Sequence, residues 1–496
     1  MNLLTSKQNK VKFLNNIPIK HIHMYEKRDL IGKVFFGAAI LILLYMFISP
    51  LTHTFINVDE YWTYSLVNLP FMQGMIVAVH DVHPPLYYMI LYLLTPLGLQ
   101  NLYVLKVASI IPYILIMVVS ATKIREDYGW LTAGLFVFCL GVMSDFFIEF
   151  LTIRMYPWGL FFLLMAFIYY NEVITNWDKK SWMLLTLFTL LSVYTQYFFA
   201  ITCGLIYLLI LYEILTKHKD KLKEFGKSVL ALIILYAPWM IVLVHQMQTQ
   251  AGEPREGFEL ANAIHYLTAF AIKGQNFEFE MVIFKMVALA FLILVLVLIY
   301  KNQDRFSAAG VFLMYGTIAI GILSLMSSFS NTMRMRYLVP VFGIFWLSAS
   351  IVIGKIKDDK VLMVALILIV ILTGASIAIT HDDIDSRLEF NDKKDSFLNS
   401  INNNNSVIVY NTDYGYKILH DDLNNTSKQY TLSGSYFYSG DVEFSDNFTK
   451  ILKDHPNKKV YLVNWKLKES NKEFEEKYDL KKVYDAGHYS FNLVKH

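Results

Sequence analysis

Long apolar runs separated by short polar joints dominate the chain. Twelve such runs stand out, at roughly 33–51, 84–98, 102–122, 130–148, 156–174, 182–197, 198–215, 228–245, 282–300, 307–329, 337–354 and 361–379. A helix needs about 20 apolar residues to cross a hydrocarbon core of about 30 Å, and runs such as 361–379 approach that length. They predict membrane-spanning helices. Joints dense in Lys or Arg mark the cytoplasmic side: the arm from Lys7 to Lys33, Lys123 to Arg125, Lys179 and Lys180, Lys217 to Lys227, Lys301 to Arg305, and Lys355 to Lys360. They alternate with lysine-poor joints except between Lys33 and Lys123, where three runs separate two basic joints. An odd number of crossings cannot return the chain to one side, so one run does not cross. The run 84–98 is the expected exception, since about 15 residues at 1.5 Å rise reach only about 22 Å and Pro96 interrupts its end. Eleven crossings follow, with the N-terminus cytoplasmic and the chain beyond Thr380 extracytoplasmic.

After Thr380 the pattern changes, with Asn, Asp and Lys replacing Leu and Phe. Short β-rich runs (Ser406 to Tyr410, Lys459 to Asn464, Lys481 to Ala486, Tyr489 to Val494) alternate with helical patterns at Tyr416 to Leu423, Asp446 to Asp454 and Lys472 to Tyr478. They predict a small α/β domain over 381–496, and the run Asn402 to Asn405 reads as a linker or turn. No repeat of fixed period is visible, which weakens a transporter built from duplicated halves.

Composition agrees with lipid as the solvent: 55% of the 496 residues are hydrophobic and 17% charged, against about 45–50% and 25% in soluble chains. A net charge of +3, spread over short joints, argues for no nucleic-acid partner. Cys139 and Cys203 each lie inside an apolar run, so neither a disulfide framework nor a cysteine zinc site is expected. The polar first 33 residues are long for a signal peptide and no cleavage site follows the first run, which reads as a retained anchor.

Candidate chemistry gathers in the first external joint. Between Lys33 and Lys106 there is no Lys or Arg, yet Asp59, Glu60, Asp81, His53, His80 and His83 all fall there. A carboxylate at a membrane surface, beside Tyr61 and Trp62, suits a general base acting on a lipid-linked substrate. The structural alternative is that Asp59 caps an interfacial helix beginning at Glu60. In His80-Asp81-Val82-His83-Pro84-Pro85-Leu86-Tyr87-Tyr88 the prolines start a short helix just after His83. His80 and His83, with Asp81 and Asp59, form a donor set that a divalent cation could use, although hydrogen bonding to phosphate or hydroxyl is the stronger reading. Two further external edges carry Arg beside aromatics, Arg154 with Tyr156 and Arg334 with Arg336 and Tyr337. Either they snorkel to headgroups or they hold a phosphate, and paired external arginines, against the positive-inside bias, favour a phosphate. Lys273 and the cluster Glu253-Pro254-Arg255-Glu256 read as solvated surface, and Tyr194, Gln196 and Tyr197 as interfacial residues without an assigned role.

Together, Asp59-Glu60, His83-Pro84-Pro85-Leu86-Tyr87-Tyr88, Ile153-Arg154-Met155-Tyr156 and Arg336-Tyr337 resemble the protein mannosyltransferase-like branch of the GT-C glycosyltransferases over about 33–380. Many members carry Gln-Glu-Ala-Arg-Met-Tyr where this chain has Leu151-Thr152-Ile153-Arg154-Met155-Tyr156, so only Arg154 and Tyr156 carry over. The resemblance implies an α-helical polytopic membrane protein with short external juxtamembrane helices and an active site outside the cytoplasmic membrane. With the small C-terminal extracytoplasmic α/β domain that the composition change after Thr380 predicts, the chain divides into a cytoplasmic arm (1–32), a transmembrane catalytic domain (33–380) and the α/β domain (381–496). The resemblance also implies a polyprenyl-phosphate-sugar donor and an acceptor on protein, glycan or lipid. Asp59 would be the base and Glu60 its partner, with Arg336, Arg154 and Arg334 on the lipid phosphate and His80, Asp81, His83, Tyr87, Tyr156 and Tyr337 lining the substrate. A transporter or flippase of a lipid-linked glycan is the rival reading, and it should place ionisable residues near the bilayer midplane. A non-enzymatic scaffold for the tail leaves the separated acidic and arginine motifs without an account.

Overall fold

The computed structural model describes residues 19–52, 56–94, 101–249, 263–271, 279–326, 335–411, 423, 427–432, 443–445, 447–465, 477–486 and 489–494. It divides into two compact units. One comprises residues 1–49, 106–151 and 155–380, the other 50–105, 152–154 and 381–496.

The helices are, in order, α1 (Ile19–Thr52), α2 (Val58–Val67), α3 (Phe71–Val79), α4 (Leu86–Leu94), α5 (Leu102–Val119), α6 (Arg125–Val142), α7 (Ser144–Phe150), α8 (Tyr156–Asn176) and α9 (Lys179–Thr195). Then follow α10 (Phe199–Lys217), α11 (Leu222–Thr249), α12 (Ala263–Thr268), α13 (Phe279–Asn302), α14 (Arg305–Met326), α15 (Val339–Gly354), α16 (Asp359–Ile401) and, within the sheet domain, α17 (Phe448–Asp454). The chain is a multi-pass membrane protein. Among the described residues, 8 helices are long and apolar enough to cross a membrane.

The expected eleven crossings differ from these eight for identifiable reasons. The stretch Leu102–Val142 counts once among the eight although it holds two helices, since a π turn at Ser120–Ile124 carries α5 on to the residues just before Gly129, where the helix breaks. The hydroxyl of Tyr113 donates to the carbonyl of Val137 (2.8 Å) and that of Ser120 to Ala133 (3.0 Å), partners whose numbers run in opposite directions. The two segments are therefore an antiparallel hairpin. Its reversal lies at Gly129, φ 86° and ψ 171°, a conformation that a residue with a Cβ enters only under strain. The runs 182–197 and 337–354 form α9 and α15, of 17 and 16 residues, short of a full crossing by length alone. Residues Val339–Ile353 of α15 are buried on every side, packed among α6, α8, α13 and α14. A helix apolar all round occupies the middle of a bundle.

The run 84–98 yields only α4, nine residues after Pro84-Pro85, or about 14 Å at 1.5 Å per residue. Pro96 lies outside the described residues. In the unit containing α2, α3 and α4, Tyr92 of α4 donates to the carbonyls of Leu66 (2.7 Å) and Leu69 (3.0 Å), closing the C-terminal end of α2. That ring crosses α3 at Gly74, where a Cβ would come within 1.8 Å of the Tyr92 hydroxyl oxygen.

The tail holds six strands: β1 (Ser406–Tyr410), β2 (Lys428–Thr431), β3 (Glu443–Phe444), β4 (Lys459–Trp465), β5 (Leu480–Ala486) and β6 (Tyr489–Val494). They form one sheet in the order β3-β2-β1-β4-β6-β5. β1 pairs in parallel with β2 and β4, and β2 with β3, while β6 runs antiparallel to β4 and β5. The four β-rich runs read from the sequence are all strands, and the short β2 and β3 are additional. Ile408 and Tyr410 pack with Leu398 and Ile401 of α16 on one face, Val407 and Val409 with Phe448 and Ile451 of α17 on the other. A parallel centre covered on both faces explains the unbroken apolar run of β1. Asn402 to Asn405 form the turn into β1, with Asn403 accepting from the amide of Asn405 (3.0 Å). Of the helical patterns, the one at 446–454 contains α17 (Phe448–Asp454), whereas 416–422 and 472–476 lie outside the described residues. The helix expected at 361–379 runs on to Ile401 without a break at 380, although the boundary between the two units falls at that residue in the sequence.

Candidate active site

Asp59 sits in the first turn of α2, and the cap of that helix is neither Asp59 nor at the expected place. Asn57 caps it: its side-chain Oδ1 accepts from the amide of Glu60 (3.0 Å), and Glu60 Oε2 accepts from the amide of Asn57 (3.0 Å). This reciprocal box satisfies two amide donors that a helix start otherwise leaves open. The half-buried Asp59 is thus released from the capping role that one reading gave it. Glu60, 1% exposed, has a second bond, with Oε1 accepting from the amide of Ile153 at 2.9 Å. Its two oxygens hold the start of α2 to the segment 152–154.

The next residue of that segment is Arg154, 3% exposed. Its Nη1 donates to the main-chain oxygen of Asp59 (3.2 Å) and to Thr63 Oγ1 (3.3 Å), and its Nη2 lies 2.6 Å from Nε2 of His83. Thr63 also donates to the Asp59 carbonyl (3.1 Å). A guanidinium only donates, so His83 Nε2 accepts and the ring proton sits on Nδ1. Three motifs far apart in sequence, around Asp59, His83 and Arg154, therefore meet about one buried cation.

Asp81 and Tyr88 join them. The Tyr88 hydroxyl donates to Asp81 Oδ2 at 2.6 Å, in the range of a charge-assisted bond. Burial, then the Asp81 carboxylate, push the Tyr88 hydroxyl well above its ordinary pKa, while the nearby Arg154 opposes them. Tyr87 is fully buried beside Tyr88, ring centroids 6.0 Å apart. His80 behaves otherwise. It is exposed and its Nδ1 donates to the Ile76 carbonyl of its own helix at 2.9 Å. The pair His80 and His83 therefore does not act as one donor set, and the face His83 offers through Nε2 is turned to a cation. No group of three His, Cys, Asp or Glu side chains converges among the described residues, so these residues do not fit a metal site. His53 lies outside the described residues.

In the other unit, Tyr156 opens α8 and is fully buried. Arg336, on a short 3₁₀ turn at Met335–Tyr337, stacks over the rings of Tyr156 (5.8 Å) and Tyr337 (5.9 Å), whose centroids are 5.9 Å apart. Two aromatic faces thus fix one guanidinium. Arg334 lies outside the described residues, as do Lys273 and Glu253 to Glu256.

Three polar contacts escaped the sequence reading. Lys106, 5% exposed, donates to the carbonyl of Leu151 at 2.9 Å, just ahead of the Arg154 segment. The signal was available, as a lone lysine inside an apolar run is a functional candidate by default. Thr63 carried no signal, being a small residue in a short amphipathic helix. Tyr197, left without a role, accepts from Trp239 Nε1 (2.8 Å) and donates to the buried Gln246 (2.5 Å), tying α11 to the joint after α9.

The sequence matches no protein-family profile and no curated protein. Its three-dimensional structure does have solved counterparts. It is similar to ArnT from Cupriavidus metallidurans bound to undecaprenyl phosphate, with a TM-score of 0.58 and 10% identity over 93% of this chain and 97% of that one. It is equally similar to the apo form of ArnT, with a TM-score of 0.59, 10% identity and the same coverage. The fold is GT-C. At such identity the likeness is one of architecture, a helical polytopic membrane protein with a small C-terminal sheet domain, and it spans both units. The GT-C neighbours are ArnT chains, so the mannosyltransferase-like branch draws its support from the motifs alone.

Proposed function

We propose that the chain is a membrane glycosyltransferase that moves a sugar from a polyprenyl-phosphate-linked donor to an acceptor hydroxyl, with inversion, on the extracytoplasmic side. One observation carries it: the buried guanidinium of Arg154 gathers the main chain of Asp59 and the ring of His83 in a chain with the GT-C fold. The undecaprenyl phosphate bound to the ArnT neighbour supports a lipid-phosphate leaving group. The order of the motifs supports the protein mannosyltransferase-like branch, with a hydroxyl acceptor.

In this reading Asp59 takes the acceptor proton as the acceptor oxygen bonds to the anomeric carbon. The bond from that carbon to the phosphate oxygen breaks in the same step, which inverts the centre and releases polyprenyl phosphate. The carboxyl later loses its proton to water. Arg154 sets the main chain of Asp59, and Glu60 is a positioning residue because its carboxylate is spent on two backbone amides. Fixed cations stabilise the charge growing on the leaving phosphate without reorganising during the reaction, and the motif resemblance assigns that task to Arg336.

Purified protein incubated with a panel of radiolabelled polyprenyl-phosphate sugars should release polyprenyl phosphate and label an acceptor. Asp59→Asn should lose at least about a hundredfold, the lower end of general-base contributions, with unchanged thermal stability. Near-normal transfer by that variant would sink the assignment of the base. For sidedness, His80→Cys in intact cells should react with an impermeant maleimide; Cys139 and Cys203 are buried and leave the background low. Labelling only after permeabilisation would reverse the orientation.

A further inference from the structure

The C-terminal sheet winds two ways from its centre. From β1 the chain moves outward to β2 and β3 on one side, then returns to place β4 on the other. In open α/β sheets ligands bind outside the carboxyl ends of the strands where the winding reverses, which here is the carboxyl end of β1 and β4.

At that place the apolar core stops and a neutral polar group begins. Val407, Val409 and Leu462 face the α17 side, and with side chains alternating along a strand, Asn411 and Asn464 continue the same row. The amide of Asn411 donates to the Val463 carbonyl (3.0 Å), extending the ladder by one residue. Its side chain Nδ2 donates to Asn464 Oδ1 at 3.1 Å. Across β6, Ser490 is opposite Asn464 and Asn492 opposite Leu462, and Asn492 Nδ2 donates to Ser490 Oγ (3.1 Å). Asn464 is 1% exposed and Asn492 4%, yet Asn464 Nδ2 makes no hydrogen bond among the described residues. Leaving such a donor unmade is costly, and a ligand oxygen would recover the loss.

We infer that this edge is a binding site for a neutral polyhydroxyl ligand, a glycan chain, that accepts a hydrogen bond from Asn464 Nδ2. The four side chains carry no charge, so nothing in the group selects a phosphate or carboxylate. A sugar hydroxyl both accepts and donates, matching amides that offer both functions side by side. Only the further identification of this glycan as the acceptor of transfer rests on the transferase reading.

The test measures equilibrium binding of fluorescent mannotetraose, cellotetraose, chitotetraose and galactotetraose to the full-length protein in nanodiscs. At least one should bind saturably. Asn464→Ala should weaken it about threefold to tenfold, the value of one neutral hydrogen bond. Asn411→Asp, a change at a half-buried edge position that folding tolerates more readily, should do the same by turning away the Asn464 oxygen. Absence of binding for all four, or binding that Asn411→Asp leaves unchanged, overturns the proposal. Asp59→Asn should bind the tetrasaccharide as wild type does, so a failed base assignment and a failed glycan site give different results.

Discussion

Nη2 of Arg154 and Nε2 of His83 stand 2.6 Å apart in the interior of the unit that carries α2 and α4. The guanidinium cannot accept, so the imidazole must, and this fixes His83 as a neutral ring with its proton on Nδ1. The histidine in the His-Pro-Pro motif thus serves the arginine first, and any contact with substrate passes through the other nitrogen.

His83→Gln retains an oxygen that can accept from Arg154, whereas His83→Leu leaves a buried charged donor short of a partner. We expect the leucine variant to lose about 1–3 kcal/mol and the glutamine variant to stay close to wild type, read as thermal unfolding in detergent. Equal losses for both would show that ring packing, and not the acceptor, is what the site needs.

Glu60 and Asp59 are adjacent and both acidic, and their substitutions should separate cleanly. Glu60→Gln cannot accept from both the Asn57 and Ile153 amides, because one of its two terminal atoms becomes a donor. Faster hydrogen exchange at those two amides and a loss of about 0.5–2 kcal/mol, the range for helix capping, are expected. Asp59→Asn should alter neither. Unchanged exchange at Ile153 in Glu60→Gln would refute the clamp.

The contrast between these two residues shows where sequence reading stops. Apolar length and the sign of the joints were enough for the polytopic class and for the short segment at 84–98, because burial in lipid writes itself as composition. The strands of the tail were legible as short β-rich runs, except for β2 and β3, whose four and two residues give too little pattern. Asp59 and Glu60 look equivalent in sequence. Their difference lies in Asn57, a capping box visible as Asn-x-x-Glu, and in Ile153, 93 positions away and invisible to any local rule. The reversal between the runs 102–122 and 130–148 was legible from the basic joint Lys123 to Arg125, and only its place at Gly129 was not, since helical hydrogen bonding runs on through that joint.

Tyr88 offers a pH test. Its folded pKa is raised above the ordinary 10.0, first by burial and then by Asp81, so the neutral phenol is favoured by folding. The contribution of this group is whole below pH 10 and is lost as pH rises through the folded value. The stability difference between wild type and Tyr88→Phe should therefore be constant from pH 6 to 9 and shrink above pH 10. A difference that holds undiminished to pH 11 would contradict the burial that keeps the phenol neutral in the folded protein.

Arg336 lies over the faces of Tyr156 and Tyr337, and planarity matters to such stacking. Lysine keeps the charge but neither the flat surface nor the two-pronged grip on a phosphate. Arg336→Lys should cost about 0.5–2 kcal/mol of stability, the range for a cation over an aromatic ring, and should lower kcat for the lipid-phosphate donor more than it raises KM, because the charge it meets grows in the transition state. Tyr337→Leu removes one of the two ring supports and leaves the guanidinium, so it should reproduce the stability loss with a smaller effect on kcat. If Arg336→Lys left kcat and kcat/KM unchanged while the stability loss appeared, Arg336 would be a packing residue and the phosphate would have to be held by other cations.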